Sequence, residues 1–186
     1  MFLKRDNPHG LVVGMTGVKM GDRLLQVGCA HGGRLGAVAV KVGLSGRAAV
    51  VVPDEASAAR ARKGAQNAGV LVDVDLAPPT RLPFDAGAFD LAVVDDTGGL
   101  FGTMRAEDRV AAVRELARVL RAGGRVVMIG ATPRGGLGAM FSRVQSGPPF
   151  VTSGDAVRAL EAGFRSARVI GEREGLAFVE AIKPRT

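Results

Sequence analysis

The sequence predicts an α/β fold: a doubly wound, mainly parallel sheet of seven strands, with helices on both faces and a C-terminal antiparallel strand pair. Short runs rich in Val, Leu and Ile alternate with helical segments, which is typical of βαβ units. These runs are continuously apolar, as strands buried on both faces require. The last two strands are joined too tightly for a parallel crossover, so we expect them to pair antiparallel, or to sit in the sheet with one reversed.

The first half of the chain holds three predicted strands and two predicted helices. The strands are Arg23–Val27, Ala48–Val52 and Val70–Val74. Apolar spacing predicts one helix over Arg34–Val42, ended by Gly43, and another over Glu55–Ala68. Asp54 directly precedes the second helix, where its carboxylate can accept hydrogen bonds from the free N–H groups of the first turn.

The second half continues the same alternation. Val110, Val113, Ala117 and Leu120 recur at helical spacing, and Gly123 supplies a stop. A short capped helix is predicted within Ser153–Gly163. The remaining strands are Asp90–Val94, Arg125–Ile129 and two within Ala167–Ile182, joined by a turn around Gly175.

Length and composition indicate one domain over residues 1–186, with an N-terminal extension (1–20) and an irregular insert (131–153). No apolar run approaches the roughly 20 residues of a membrane helix, and the N-terminus lacks a signal-peptide core. The single cysteine, Cys29, excludes an intrachain disulfide, and no metal-ligand spacing is present. These features predict a soluble cytoplasmic protein without a bound metal.

The net charge of +7 raises the question of a nucleic-acid partner. The cations are spread along the chain without a run of like charge. Because Trp and Tyr are absent and Phe is scarce, a base-stacking platform is not expected. The charge therefore leaves RNA as an alternative partner beside a small-molecule substrate.

The stretch LLQVGCAHGG predicts a strand that runs into a glycine-rich turn. Gly28, Ala30 and Gly32 lie at alternate positions, and Gly28, Ala30 and Gly33 also fit the dinucleotide pattern with Ala in the middle. Such a turn lets a backbone approach a ligand closely, or it merely joins a strand to a helix. By itself it does not distinguish a nicotinamide dinucleotide from other adenosine ligands.

An acid after the second strand strengthens the nucleotide interpretation. Asp54 lies 22 residues beyond Gly32, close to the spacing of about 20 at which adenosine sites place a ribose-binding acid. A helix cap is the alternative role for Asp54. Glu55 is a neighbouring substitute for the ribose contact.

With these features, the chain resembles the class I S-adenosylmethionine-dependent methyltransferases, in particular the small-molecule and quinone methyltransferase branch. The resemblance covers roughly Gly17 to Lys183 and implies a Rossmann-like fold with S-adenosylmethionine as cofactor. It is carried by four segments: GDRLLQVGCAHGG, LPFDAGAFDLAVV, RELARVLRAGGRVVMIG and AFVEAIKP.

The resemblance also implies roles for individual residues. Asp54 would hold the ribose, and Asp95, after the fourth strand, would face the cofactor or the substrate. Gln26 stands where the family usually has an acid that orients the methionine end, and it can accept a hydrogen bond there without charge. The turn residues that would back the methionine part are Gly28, Ala30 and Gly32, and those that would flank the adenine are Leu76 and Ala77.

Methyl transfer requires alignment of donor and acceptor more than a dedicated catalytic group. Asp95 and the adjacent Asp96 are candidates to bind the cofactor amine or to take a substrate proton. His31, in the glycine-rich turn, is a second candidate base. For each of these residues an exposed position without a catalytic role is the alternative.

Three functions follow for testing. The first is methyl transfer to a small molecule, with the insert (which contains Met140, Phe141 and Phe150) acting as a lid and with a second subunit able to complete the pocket. The second is a degenerate relative that binds or assembles without catalysis, favoured by Gln26 and by the absence of an acid in Ala77–Arg81. The third is RNA methylation.

Overall fold

The structure, a computed structural model, describes residues 8–133 and 150–185. Its strands are β1 (Arg23–Val27), β2 (Arg47–Val52), β3 (Asp73–Leu76), β4 (Phe89–Asp95), β5 (Leu120–Ala131), β6 (Arg165–Arg173) and β7 (Leu176–Ile182). Its helices are α1 (Gly10–Thr16), α2 (Gly32–Val42), α3 (Glu55–Ala68), α4 (Ala106–Val119) and α5 (Asp155–Leu160).

The strands form one seven-stranded sheet in the order β3-β2-β1-β4-β5-β7-β6. Strands β1 to β5 pair in parallel, whereas β7 pairs antiparallel with both β5 and β6. The chain moves outward from β1 to β3 and then crosses to β4 on the other side of β1. This reversal between β1 and β4 is the point at which open α/β sheets bind ligands. The predicted fold class is confirmed.

The core lies on both faces of the sheet. One cluster joins the strands to α4 and α5, through side chains such as Phe89, Leu116 and Leu160. On the opposite face, α1 and α2 pack over Leu24 and Val93, and α2 and α3 close over Val50 and Val52. Strands β1, β2 and β4 are almost entirely buried, which explains their continuous apolar sequences.

Strand β3 and helix α4 have boundaries that differ from the sequence prediction. Strand β3 begins at Asp73 rather than Val70, because Gly69 ends α3 in a left-handed turn and Val70 donates back to Ala65 O. Helix α4 ends at Val119, before the predicted stop, Gly123. Gly123 has φ +72° and donates to Lys183 O within the start of β5.

The N-terminal helix α1 was not predicted, because its seven residues include two glycines and carry no capping side chain. It packs against α2 and buries Val12 and Thr16. Most of the predicted insert, including Met140 and Phe141, lies in residues 134–149, outside the described residues. The lid therefore remains a prediction.

Candidate cofactor site

The glycine-rich turn leaves the carboxyl end of β1 at the sheet's switch point. Gly28 has φ +80°, a conformation that side chains rarely adopt. A Cβ on Gly28 would lie 2.9 Å from both Asp95 O and Leu100 Cδ2. Glycine is therefore required here both by the backbone angle and by the close approach of the segment that follows β4.

The backbone of the turn accommodates both Gln26, which replaces the usual acid, and Ala30, which is the middle residue of the glycine pattern. The buried Gln26 side chain donates from Nε2 to Gly28 O at 2.8 Å, a hydrogen bond that an ionised carboxylate could not make. Ala30 does not have a positive φ, so its methyl group causes no backbone strain. Both residues thus fit the turn as it is built.

Glycine is required at position 32 because α2 and α3 approach each other closely there. A Cβ on Gly32 would collide with Arg60 O, and a Cβ on Gly64 would collide with the backbone of Gly32. Gly36 packs in the same way against Gly64 O, where a Cβ would lie 2.7 Å away. The contact sets the direction of α2 and so the position of its first residues behind the turn.

Asp95, the last residue of β4, ties that strand to the turn. Its side chain is 2% exposed. Oδ2 accepts from Ala30 N–H at 3.1 Å, and Oδ1 accepts from Arg34 Nη1 at 3.2 Å. Oδ1 also accepts from the backbone N–H and the hydroxyl of Thr97, the latter at 2.6 Å. The carboxylate is thus neutralised by Arg34 and accepts four hydrogen bonds.

Asp54 caps α3 at the end of β2, as the sequence predicted. It accepts from Ser57 N–H at 2.8 Å, and this hydrogen bond holds the pKa of the Asp54 carboxyl below its usual range. The residue is exposed, and a carboxylate has about four acceptor sites, so it can also accept ribose hydroxyls. Glu55 points along the helix instead, to an ion pair with Arg62.

Arg60 connects Asp54 to the glycine-rich turn. Its Nη2 donates to Ser57 Oγ at 2.8 Å, and its Nε donates to Cys29 O at 3.1 Å. Ser57 Oγ in turn donates to Asp54 Oδ2 at 3.2 Å. A continuous polar chain therefore fixes the acid at the end of β2 relative to the turn after β1.

Leu76 and Ala77 lie at the end of β3, level with the end of β2. Leu76 pairs in register with Val52, and Ala77 N–H donates to Val52 O at 3.1 Å. Leu76 is 54% exposed, which is high for a leucine within a strand. An apolar side chain thus lies at the same edge of the sheet as Asp54.

The histidines and the cysteine beside the turn differ in environment. The His31 side chain is exposed at the start of α2, and its ring lies edge-on to that of His9, 5.1 Å between centroids. Burial, followed by His31 and Arg34, lowers the pKa of His9. Burial raises the pKa of the Cys29 thiol to about 11, so the thiol stays protonated and is a poor nucleophile.

Asp96 lies on the opposite face of the sheet from Asp95. It is buried, and its Oδ1 accepts from Phe101 N–H at 2.6 Å. Phe101 stacks on Phe150, whose ring also lies 5.2 Å below the guanidinium of Arg109. Asp96 therefore anchors the segment after β4 to the core rather than facing the turn.

Sequence reasoning missed the residues that hold this edge together. Arg34, Thr97 and Arg60 all contribute hydrogen bonds around the turn, yet no spacing in the sequence distinguishes them from other polar residues. The only available signal was for Arg34, which follows the glycine-rich turn directly. Leu100 was missed because it belongs to an irregular segment.

The described residues contain neither a helix that could span a membrane nor a cluster of metal-binding side chains. No helix in residues 8–133 and 150–185 has the length and hydropathy to cross a membrane. Within the same ranges, no three His, Cys, Asp or Glu side chains are grouped to hold a metal ion.

Comparisons with known proteins agree with this architecture. Residues 25–128 match the Methyltransferase domain family. The chain is 32% identical over 163 residues to methyltransferase GfsG of Streptomyces halstedii, covering 88% of this chain and 55% of that protein. It is 33% identical over 146 residues to the uncharacterized protein Rv1403c of Mycobacterium tuberculosis, covering 77% of this chain and 50% of that protein. The chain thus spans about half the length of these curated relatives.

Among solved structures, the fold resembles a SAM-dependent methyltransferase from Aquifex aeolicus. The TM-score is 0.72 at 19% identity, covering 95% of this chain and 89% of that chain. The chain belongs to the methyltransferase-domain family. The resemblance stated from the sequence is confirmed, and with it S-adenosylmethionine as the cofactor of the family.

The described residues fit this cofactor at two of its three parts. Asp54 offers a carboxylate for a ribose, and Leu76 offers an exposed apolar surface for a base at the same sheet edge. The third part, the amino-acid end, would lie against a turn whose backbone is held by hydrogen bonds to the Gln26 and Asp95 side chains. The electrostatic environment of this turn therefore differs from that of a site in which an unpaired carboxylate lies beside the turn.

Proposed function

We propose that this chain transfers a methyl group from S-adenosylmethionine to a small-molecule acceptor by direct displacement. The observation that carries the proposal is that the glycine turn, Asp54 and Leu76 lie at the carboxyl ends of the neighbouring strands β1, β2 and β3, in a chain of the methyltransferase-domain family. A small acceptor is favoured over a nucleic acid because the chain has no Trp or Tyr to stack on bases.

The cofactor, when bound, supplies a methyl group already activated on a sulfonium. The chain's own residues have to bind the nucleoside, orient it and exclude water. Asp54 would hold the ribose, Leu76 and Ala77 would contact the base, and Gly28 would allow close backbone approach. We assign Asp95 to positioning, since its carboxylate already accepts four hydrogen bonds and is paired with Arg34.

A second candidate, a relative that binds or assembles without transfer, is favoured by one observation. Leu100 packs directly against Gly28, and Arg34 closes over Asp95, so the turn is already in contact with its own chain. These contacts leave less room for the amino-acid end of a ligand. Ligand binding therefore has to be measured before methyl transfer.

Calorimetry with S-adenosylhomocysteine tests the proposal on wild type, Asp54→Ala and Asp54→Asn. Asn also caps helices, so Asp54→Asn keeps the stability of α3, whereas Asp54→Ala loses about 0.5–2 kcal/mol. We expect micromolar binding to wild type, weakened about tenfold or more in both variants because a charge-assisted hydrogen bond to the ribose is lost.

The two variants together separate ribose binding from helix capping. If Asp54→Asn bound like wild type, the charge of Asp54 would have no role in the site. An absence of binding to folded wild type would instead favour the non-catalytic relative.

A further inference from the structure

The amino-acid end of the site is poor in free negative charge. Two guanidinium groups reach it: Arg34 contacts Asp95 and Thr97, and Arg60 contacts Cys29 O. Of the described side chains that hydrogen-bond to the turn or to Asp95, Asp95 alone is a carboxylate. Gln26, buried directly below the turn, is neutral.

Asp95 is poorly suited to receive an ammonium group. Its carboxylate accepts from Ala30 N–H, from both donors of Thr97 and from Arg34, whose charge compensates its own. An approaching ammonium would have to compete with that guanidinium in a place where Asp95 is 2% exposed. Gln26 adds no attraction, since its amide N–H is already donated to Gly28 O.

Arg34, in contrast, is well suited to receive a carboxylate group. Both of its contacts use Nη1, and a guanidinium carries five N–H donors. Its side chain is 16% exposed, so it is partly accessible from solvent. The planar fork of a guanidinium suits a carboxylate, which it can bind through two parallel hydrogen bonds.

We propose that the site recognises the amino-acid end of its nucleoside through the carboxylate, with Arg34 as the specificity-determining residue, and that the ammonium group contributes little. This assignment rests on the proposed function, because it concerns the same site. It assigns Asp95 to holding Arg34 and the turn in place.

Calorimetry with three probes tests the assignment on the wild-type chain. The probes are S-adenosylhomocysteine, its analogue without the amino group and its analogue without the carboxyl group. We expect loss of the carboxyl group to weaken binding about tenfold or more, as for a lost charge-assisted hydrogen bond, and loss of the amino group to weaken it less than about threefold. The reverse order would overturn the assignment.

The variant Arg34→Gln makes the test more specific, because it should change the preference for the carboxyl group over the amino group and not only the overall affinity. The substitution removes the cation and leaves the charge of Asp95 uncompensated. Removing the carboxyl group from the probe should therefore weaken binding to this variant about tenfold less than it weakens binding to wild type, and removing the amino group should weaken binding more than in wild type. Arg47→Gln is the matched control. Arg47 is an exposed arginine at the amino-terminal end of β2, whereas the site lies at the carboxyl ends of the strands. This variant should therefore keep the wild-type order of probe affinities.

The outcomes separate this assignment from the proposed function. Binding of S-adenosylhomocysteine with an unchanged probe order in folded Arg34→Gln would overturn the role of Arg34 alone. Failure of all three probes to bind wild type would overturn the proposed function together with the assignment. The order of the three probe affinities is measured on the wild-type chain. If Arg34→Gln failed to fold, that order would therefore still decide the assignment.

Discussion

Asp96 is a carboxyl group that the fold keeps away from water. Burial raises its pKa from 3.8 to about 6, an effect that outweighs the hydrogen bonds from Phe101 and Gly102. Its neighbour Asp95 adds to the increase, and Arg109 opposes it. The folded chain therefore binds a proton at Asp96 more tightly than the unfolded chain does.

The sign of the resulting pH dependence follows from linkage. Between about pH 4 and pH 6 the folded state holds more protons than the unfolded state, so this group makes stability fall as pH rises. Below that window Asp96 is protonated in both states and imposes no penalty. Above it the penalty is constant, at about 3 kcal/mol for a difference of about two pKa units.

The substitution Asp96→Asn should remove this penalty, because the amide is close in shape and never ionises. We expect the variant to exceed wild type in free energy of unfolding by about 2–3 kcal/mol at pH 8, with the difference shrinking below pH 6 and vanishing near pH 3. Urea unfolding across this range measures it. A difference independent of pH would show that ionisation of Asp96 is not the cause.

At the scale of elements, the packing of α2 on α3 depends on glycines that face each other. Gly32 and Gly36 on α2 meet Gly64 on α3 so closely that a methyl group on any of them would contact backbone. Close approach of these helices brings Arg60 within reach of Cys29 O and thereby links α3 to the turn. The element contact is thus a condition for the geometry of the site.

Gly64→Ala tests that dependence. Its Cβ would collide with the backbone of Gly32, which cannot move without displacing the start of α2. We expect a loss of about 1–3 kcal/mol in the free energy of unfolding, together with weaker binding of S-adenosylhomocysteine.

Gly14→Ala serves as the control for Gly64→Ala. Gly14 lies inside α1, and a Cβ there would have no neighbour within 4 Å. Alanine should therefore be neutral or stabilising by up to about 1 kcal/mol. Equal effects of the two substitutions would show that the α2–α3 contact has no special role.

At the scale of the whole molecule, the charge of +7 is the feature that most resembles a nucleic-acid-binding protein. Several exposed cations are already paired, however. Asp90 accepts from both Arg23 and Arg121, and Arg47 pairs with Asp73. These ion pairs lie near the amino-terminal ends of the parallel strands, whereas the glycine turn lies at their carboxyl ends. They therefore do not extend the site.

RNA methylation therefore makes a prediction that differs from the proposed function. If the acceptor is a small molecule, single-stranded RNA should bind no more tightly than about 10⁻⁶ to 10⁻⁴ M at physiological salt, the range typical of non-specific contact. Fluorescence anisotropy at several salt concentrations measures this. Submicromolar affinity that falls steeply with salt would instead favour RNA as the substrate.

Much of the fold could be predicted because each element carries its own local signal. The limits of β1 and α3 agree with the prediction, since an apolar run and a capping Asp54 are read from adjacent residues. Strand β3 was displaced because Val70 belongs to the turn that closes α3, and the strand begins only at Asp73, where the chain pairs with β2. Helix α1 was missed because packing on α2, rather than helix propensity, stabilises it.

The sequence by itself determined the α/β class, the position of the glycine turn and the acid at the end of β2, because these depend on residue type and short spacings. Only the tertiary structure decided how charge is arranged around the turn. Arg34, Asp95 and Thr97 meet there from two elements separated by about sixty residues of chain. Local sequence cannot specify such pairings, because packing of the whole sheet brings these side chains together and removes water from between them.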